Sequence, residues 1–218
     1  MPSFLLFLRS FLLEGKIPFY PWVQKILLLA SLVPWAFLFM FPEEFSELGS
    51  ACWVLLIGIL AVRPLGDIFL DFRILRTLLP LRKEFGILCG SLGIAHAIGF
   101  FFVQQIPFPS GIFALEMWDF NTLIPWGLMG FFIAIILVLT SNVLAMKILK
   151  RNWKRLHRLV YPFFFVVTIH IAFIQIGRGA EVLSAEVLEG IIPVILLLLL
   201  WTLSAFGFTV SVLQKSEK

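Results

Sequence analysis

Three histidines, His96, His157 and His170, are the residues of this sequence best suited to chemistry, and none lies in a loop between apolar runs. An ionisable side chain inside a bilayer is costly and usually has a purpose. His96 stands thirteen residues beyond the basic pair Arg82-Lys83, and His170 stands twelve beyond Arg158. At about 1.5 Å of rise per residue, both reach roughly 18–20 Å from the same face of the membrane. Two imidazoles at equal depth on neighbouring helices can clamp one iron from opposite sides, as b-type haem is held between helices. His157 sits about 20 Å below His170 and roughly 140° round the same helix. Three roles are open to it: ligating a second haem with a non-histidine partner or water, contacting a haem propionate or flavin phosphate, or sitting among basic residues that face the headgroups.

Competing chemistries fare worse. A closed zinc site needs four ligands within a few ångströms, yet the histidines spread over about 20 Å and neither cysteine falls beside His96 by helical spacing. HExxH, P-loop and GxGxxG motifs are absent, which leaves proteolysis, nucleotide hydrolysis and nicotinamide binding without motif support. No acidic residue shares a span interior with a histidine, as a Ser–His–Asp arrangement would ask. The plainest alternative for any one histidine is a hydrogen bond to a neighbouring helix.

The elements that must position these residues follow from composition. Of 218 residues, 61% are hydrophobic and 14% charged, including 25 Phe and 7 Trp, against roughly 45–50% and about 25% in soluble domains. Apolar runs predict an all-α integral membrane protein with six transmembrane helices, at 22–41, 49–65, 85–103, 122–146, 158–176 and 190–212. The haem would lie between the third and fifth. Residues 1–20 are expected to form an interfacial segment, with Phe4, Phe7, Leu8 and Phe11 along one side. Residues 21–213 form the membrane domain and 214–218 a short tail. Cys52 and Cys89 fall in separate runs, so a disulfide framework is not indicated.

Basic residues set the orientation. One side of this arrangement collects 16 of the 17 Lys and Arg, and the other holds only Arg178 with eight acidic residues, Glu43, Glu44, Glu47, Glu116, Asp119, Glu181, Glu186 and Glu189. Lys and Arg of short loops stay cytoplasmic, so both termini are expected there. Their juxtamembrane placement reads as contact with membrane lipid and gives no nucleic-acid surface. Arg82, Lys83 and Arg155 on this rim can either anchor the chain in the headgroups or hold haem propionates or the phosphate of a flavin such as FMN.

The stretch LVLTSNVLAMKILKRNWKRLHRLVYPFFFVVTIH, Leu137 to His170, resembles the ferric-reductase-like transmembrane domain family, most closely the haem subunits of bacterial periplasmic methionine sulfoxide reductase systems. Its matching elements are Thr140-Ser141, Trp153, Leu156-His157, Tyr161 and His170. Upstream, Arg82-Lys83, Gly86, Ala95 and His96 fit, as do Pro34 and Pro64-Leu65. The resemblance implies an electron-transfer subunit of the bacterial inner membrane carrying one or two haems b, dependent on a separate catalytic partner. Electrons would come from a cytoplasmic flavin reductase or the quinol pool and leave to a periplasmic molybdopterin-containing reductase subunit. No flavin or nicotinamide module is recognisable in the chain, which implies a separate donor. The alternatives are a ferric or other metal-ion reductase, for which Glu43, Glu44 and Glu47 would bind the ion outside, and a haem-free scaffold or transporter.

Overall fold

The computed structural model describes residues 20–177 and 185–209. The expected interfacial segment and tail, the loop carrying Arg178 and Glu181, and the side chains of Glu186 and Glu189 lie outside what is described. Everything described is helix, turn or loop. The helices are α1 (Tyr20–Ala30), α2 (Val33–Met40), α3 (Phe45–Ile68), α4 (Arg73–Leu78), α5 (Arg82–Val103), α6 (Ile124–Leu139), α7 (Val143–Leu149), α8 (Arg151–Leu156), α9 (Val160–Gly177) and α10 (Ala185–Ala205).

Four stretches are long and apolar enough to cross a bilayer, Tyr20–Met40, Pro42–Ile68, Arg73–Val103 and Arg151–Gly177. The pair α6 and α7 gives a fifth if counted as one span, and Gly190–Ala205 is a shorter apolar helix. This is a multi-pass membrane protein. Its outward faces carry large apolar side chains as lipid requires, Phe39 being 90% exposed and Leu29 65%.

Several elements differ from the sequence expectation. The first span, expected over 22–41, is broken at Ser31-Leu32 into α1 and α2, and the sixth, expected over 190–212, is helical from Ala185 to Ala205. The second span, expected over 49–65, runs as one helix from Phe45 to Ile68, about 36 Å at helical rise. Polar ends misled the hydropathy reading, because Glu47 lies in the first turn of α3 and Arg63 meets Asp67 one turn on at 3.8 Å. The fourth span, expected to continue to 146, turns by 92° after Leu139. Local hydrogen bonds explain the turn. The hydroxyls of Thr140 and Ser141 donate to the carbonyls of Ile136 and Leu137 at 2.7 and 2.6 Å, ending α6, while the Asn142 side chain accepts from the Ala145 amide at 2.8 Å and starts α7 in a new direction.

α3, α5, α6, α9 and α10 pack in a closed ring, each against the next and α10 back on α3, with α1 and α2 outside on α5. Part of its interior is a core to which every ring helix contributes, including Leu56, Cys89, Ala134, Phe164 and Leu197. Association in lipid depends on close packing more than on hydrophobic burial. Gly90 shows this, since a Cβ there would collide with the Val138 side chain across the α5–α6 contact.

Candidate functional site

The rest of the ring interior is a cavity of about 530 Å³ whose lining includes His96, His170, Gly49, Gly127, Phe131 and Val167. α5 and α9 do not lean on each other; both pack on α6 and present their histidines across the space beside it.

Both histidines are held by the same construction. His96 Nδ1 lies 2.9 Å from the carbonyl oxygen of Phe45, the first residue of α3, and His170 Nδ1 lies 2.8 Å from that of Leu123, the residue before α6. A carbonyl only accepts, so each Nδ1 carries the proton and donates. In the neutral imidazole this leaves each Nε2 with its lone pair, the state in which imidazole binds a metal. One turn beyond each carbonyl stands a glycine. A Cβ on Gly49 would come within 2.8 Å of His96 Nδ1, and one on Gly127 within 2.9 Å of His170 Cε1. Each ring thus lies flush against a helix turn, tied to the carbonyl at its start and seated on the glycine four residues later.

The ring centres of His96 and His170 are 6.3 Å apart, with planes inclined at 74°. Two imidazoles bound trans to one first-row metal have centres about 6.3 Å apart, given metal–nitrogen bonds of about 2.0–2.1 Å and centres about 1.1 Å behind each nitrogen. The spacing suits a single metal centre gripped from two sides. Two imidazoles face a cavity whose walls are mostly apolar, so the site suits a centre that brings its own remaining ligands. Among the described residues no three His, Cys, Asp or Glu come together in a way that could hold a bare ion. That applies to Glu43, Glu44 and Glu47 as well.

His157 is placed elsewhere, in the 3-10 turn His157–Leu159 between α8 and α9, beside the end of α6. Its ring stacks on Trp153 at 4.2 Å between centres, and its Nε2 lies 3.3 Å from Thr140 Oγ1. Trp153 Nε1 in turn donates to the Thr140 carbonyl at 2.8 Å. Because the Thr140 hydroxyl spends its only proton on Ile136, it accepts from His157, which puts a proton on the nitrogen that would otherwise bind metal. His157 ties α8 to the end of α6.

The rim cations are distributed. Arg82 is in electrostatic reach of Tyr161 and Arg63, Lys83 pairs with Glu84 at 3.1 Å, and Arg155 is exposed on α8. Glu84 escaped the sequence reading, which took charges beside Lys83 for rim. It is only 1% exposed; Gln24 of α1 donates to its Oε1 at 3.3 Å, and its Oε2 has no hydrogen-bond partner. Gly49 and Gly127 also escaped it. Their only trace in the sequence is a glycine in the first turns of two spans.

A family profile described as ferric reductase like transmembrane component matches residues 46–168, more than half of the chain, from just after the carbonyl that holds His96 to two residues short of His170. No curated protein and no solved structure matches.

Proposed function

This chain belongs to the ferric reductase like transmembrane family, and from that premise we propose that it is a b-type haem electron carrier in which His96 and His170 would hold one haem. The observation that carries the reading is the twinned histidine seat, with Nδ1 of each ring spent on a carbonyl, Nε2 free and the ring centres 6.3 Å apart. When bound, haem b supplies a one-electron couple whose potential follows axial ligation and burial.

The remaining work belongs to side chains and backbone. The Phe45 and Leu123 carbonyls fix the tautomer and the angle of each ring and raise the basicity of the ligating nitrogen. Gly49 and Gly127 let each ring retreat against its helix, leaving the space between the rings for a planar group. Phe131 and Val167 line the cavity with apolar surface, which holds its polarity low. Arg82 stands fourteen residues from His96 on one helix, about 21 Å away. The rim of Arg82, Lys83 and Arg155 therefore serves an anionic partner at the surface, such as the phosphate of FMN, better than it serves groups in the cavity. One haem is the number proposed, because the remaining histidine already has its Nε2 engaged by Thr140.

We take α10 as a sixth span, which keeps the basic loops on one side and both termini cytoplasmic. The Leu137–His170 stretch resembles MsrQ, the haem subunit of a bacterial methionine sulfoxide reductase system. By that resemblance the protein sits in the inner membrane, takes electrons from a cytoplasmic flavin reductase or quinol and passes them to a periplasmic molybdopterin-containing subunit.

Purified protein should show a b-type Soret band and a sharp α band on reduction, near one haem per chain by pyridine haemochrome. A preparation from haem-sufficient cells with neither band would end this reading. The glycine seats add a sharper expectation. Gly127→Val or Gly49→Val should cost most of the bound haem, because even the first carbon of the new side chain would lie within about 3 Å of an imidazole atom, closer than unbonded carbons approach. Gly58, whose added Cβ meets nothing within 4 Å, is the matching control, and Gly58→Ala should leave the haem content unchanged.

A further inference from the structure

Cys52 of α3 and Cys89 of α5, 37 residues apart in the chain, meet across the helix interface with their sulfurs 3.7 Å apart. Both are free thiols, 4% and 3% exposed. Their contacts are reciprocal: Cys52 Sγ donates to the Cys89 carbonyl at 3.3 Å, and Cys89 Sγ faces the Cys52 carbonyl at 3.6 Å. Each sulfur is thus pinned against the other residue's backbone, which holds the pair in contact. Gly93 helps to make the room, because a Cβ there would stand 3.3 Å from Cys52 Sγ. Two buried cysteines can simply fill space as small apolar groups. A sulfur–sulfur bond is about 2.05 Å, however, so each sulfur here need move only about 0.8 Å to form one. Cys52 also lines the cavity, which gives a reagent a way in.

We propose that Cys52 and Cys89 form a reversible dithiol–disulfide couple in the cavity wall, oxidised by a lipid-soluble quinone. Two S–H bonds break and one S–S bond forms; both electrons and both protons pass to the quinone, which leaves as quinol. Charge decides against a soft metal ion on the pair. Two thiolates around a monovalent ion would leave a net negative charge in an apolar wall, whereas the disulfide is neutral and its formation strands no ion there. The product would tie α3, which supplies the Phe45 carbonyl and Gly49, to α5, which carries His96. Redox state would then set how firmly the seat of His96 is held. The couple rests on the thiol geometry and does not require the haem reading.

The test uses the full chain in lipid vesicles, incubated anaerobically with a fully substituted benzoquinone that cannot add to thiols, then denatured in acid, labelled with maleimide and weighed intact. Loss of both labels from monomeric protein, two reducing equivalents per disulfide counted as quinol plus any reduced haem, and recovery of both labels after a dithiol reductant are expected, with peptide mapping joining residue 52 to residue 89. Two labels remaining after prolonged exposure would overturn the proposal, as would a product that is only a cross-linked dimer. Closure by diamide but not by the quinone would overturn the assignment of the oxidant. A Cys52→Ala, Cys89→Ala double variant should produce no quinol, and quinol formed by it at the wild-type rate would overturn the assignment to these thiols. The mapping result on unmodified protein stands even if that variant does not fold.

Discussion

Alanine in place of His96 or His170 is expected to remove nearly all b-type absorbance from protein that still inserts and purifies as a membrane protein. Insertion follows from the apolar spans and their basic flanks, to which neither side chain contributes. On the proposed reading haem retention would depend on both, since His96 and His170 are the residues that would hold the group and the rest of the lining is mostly apolar. His157→Ala should keep the full spectrum. Its hydrogen bond to Thr140 and its stack on Trp153 are structural, and a lost hydrogen bond costs about 0.5–1.5 kcal/mol of stability. The measurement is haem per protein by pyridine haemochrome in the three variants, with a thermal unfolding scan beside it. Full haem content in both His96→Ala and His170→Ala would refute the paired-ligand assignment. Loss of haem in His157→Ala without loss of stability would restore it as a ligand. Added imidazole gives a further check, because the cavity left in His170→Gly is ring-shaped and the Leu123 carbonyl remains to orient the rescuing molecule.

How much of this was legible in the sequence depends on what fixes each feature. The equal depth of His96 and His170 is legible because rise per residue from a charged rim is a local quantity and both helices start at comparable cations; that both rings turn into one cavity beside α6 is set by packing. The groups that hold the two rings are not local. Phe45 and Leu123 lie 51 and 47 residues from their histidines, and only the register in which α3 packs on α5 and α6 on α9 selects those carbonyls. The same limit explains the cysteines. Membership of two different spans says nothing about whether their facing residues cross at the same height. The turn at Thr140 illustrates a different limit. Apolar content continues through residue 146, and hydropathy encodes solvent and carries no direction; the chain turns because two hydroxyls and one asparagine satisfy the exposed backbone groups. Glu84 was obscured because a carboxylate beside Lys83 resembles a surface ion pair, and its burial depends on α1 lying over it.

Supplying NADPH alone is expected to leave the proposed haem oxidised, whereas a flavin reductase with free flavin, or a quinol, should reduce it within the mixing experiment. Nicotinamide dinucleotides are bound on a glycine-rich turn between a strand and a helix, which receives the pyrophosphate at the helix N-terminus. The sequence has no such motif, and the described residues form helices joined by turns and loops. The described residues thus lack that seat for a hydride donor, and a one-electron centre cannot by itself accept the pair of electrons a hydride carries. A reduced flavin can divide that pair. Being anionic at its phosphate, it should approach along the basic rim, where Arg82, Lys83 and Arg155 would raise its local concentration. Two dependences follow from that charge. Flavin-mediated reduction should slow as salt is raised, since the screening length shrinks to about 8 Å at physiological ionic strength and about 3 Å at 1 M, while reduction by an uncharged quinol should change little. Arg155→Glu should slow the flavin route and leave haem content intact, because this exposed side chain touches neither histidine. Anaerobic stopped-flow at the α band reads all of these, and rapid reduction by NADPH with no flavin enzyme or quinol present would show that electrons come in by another door.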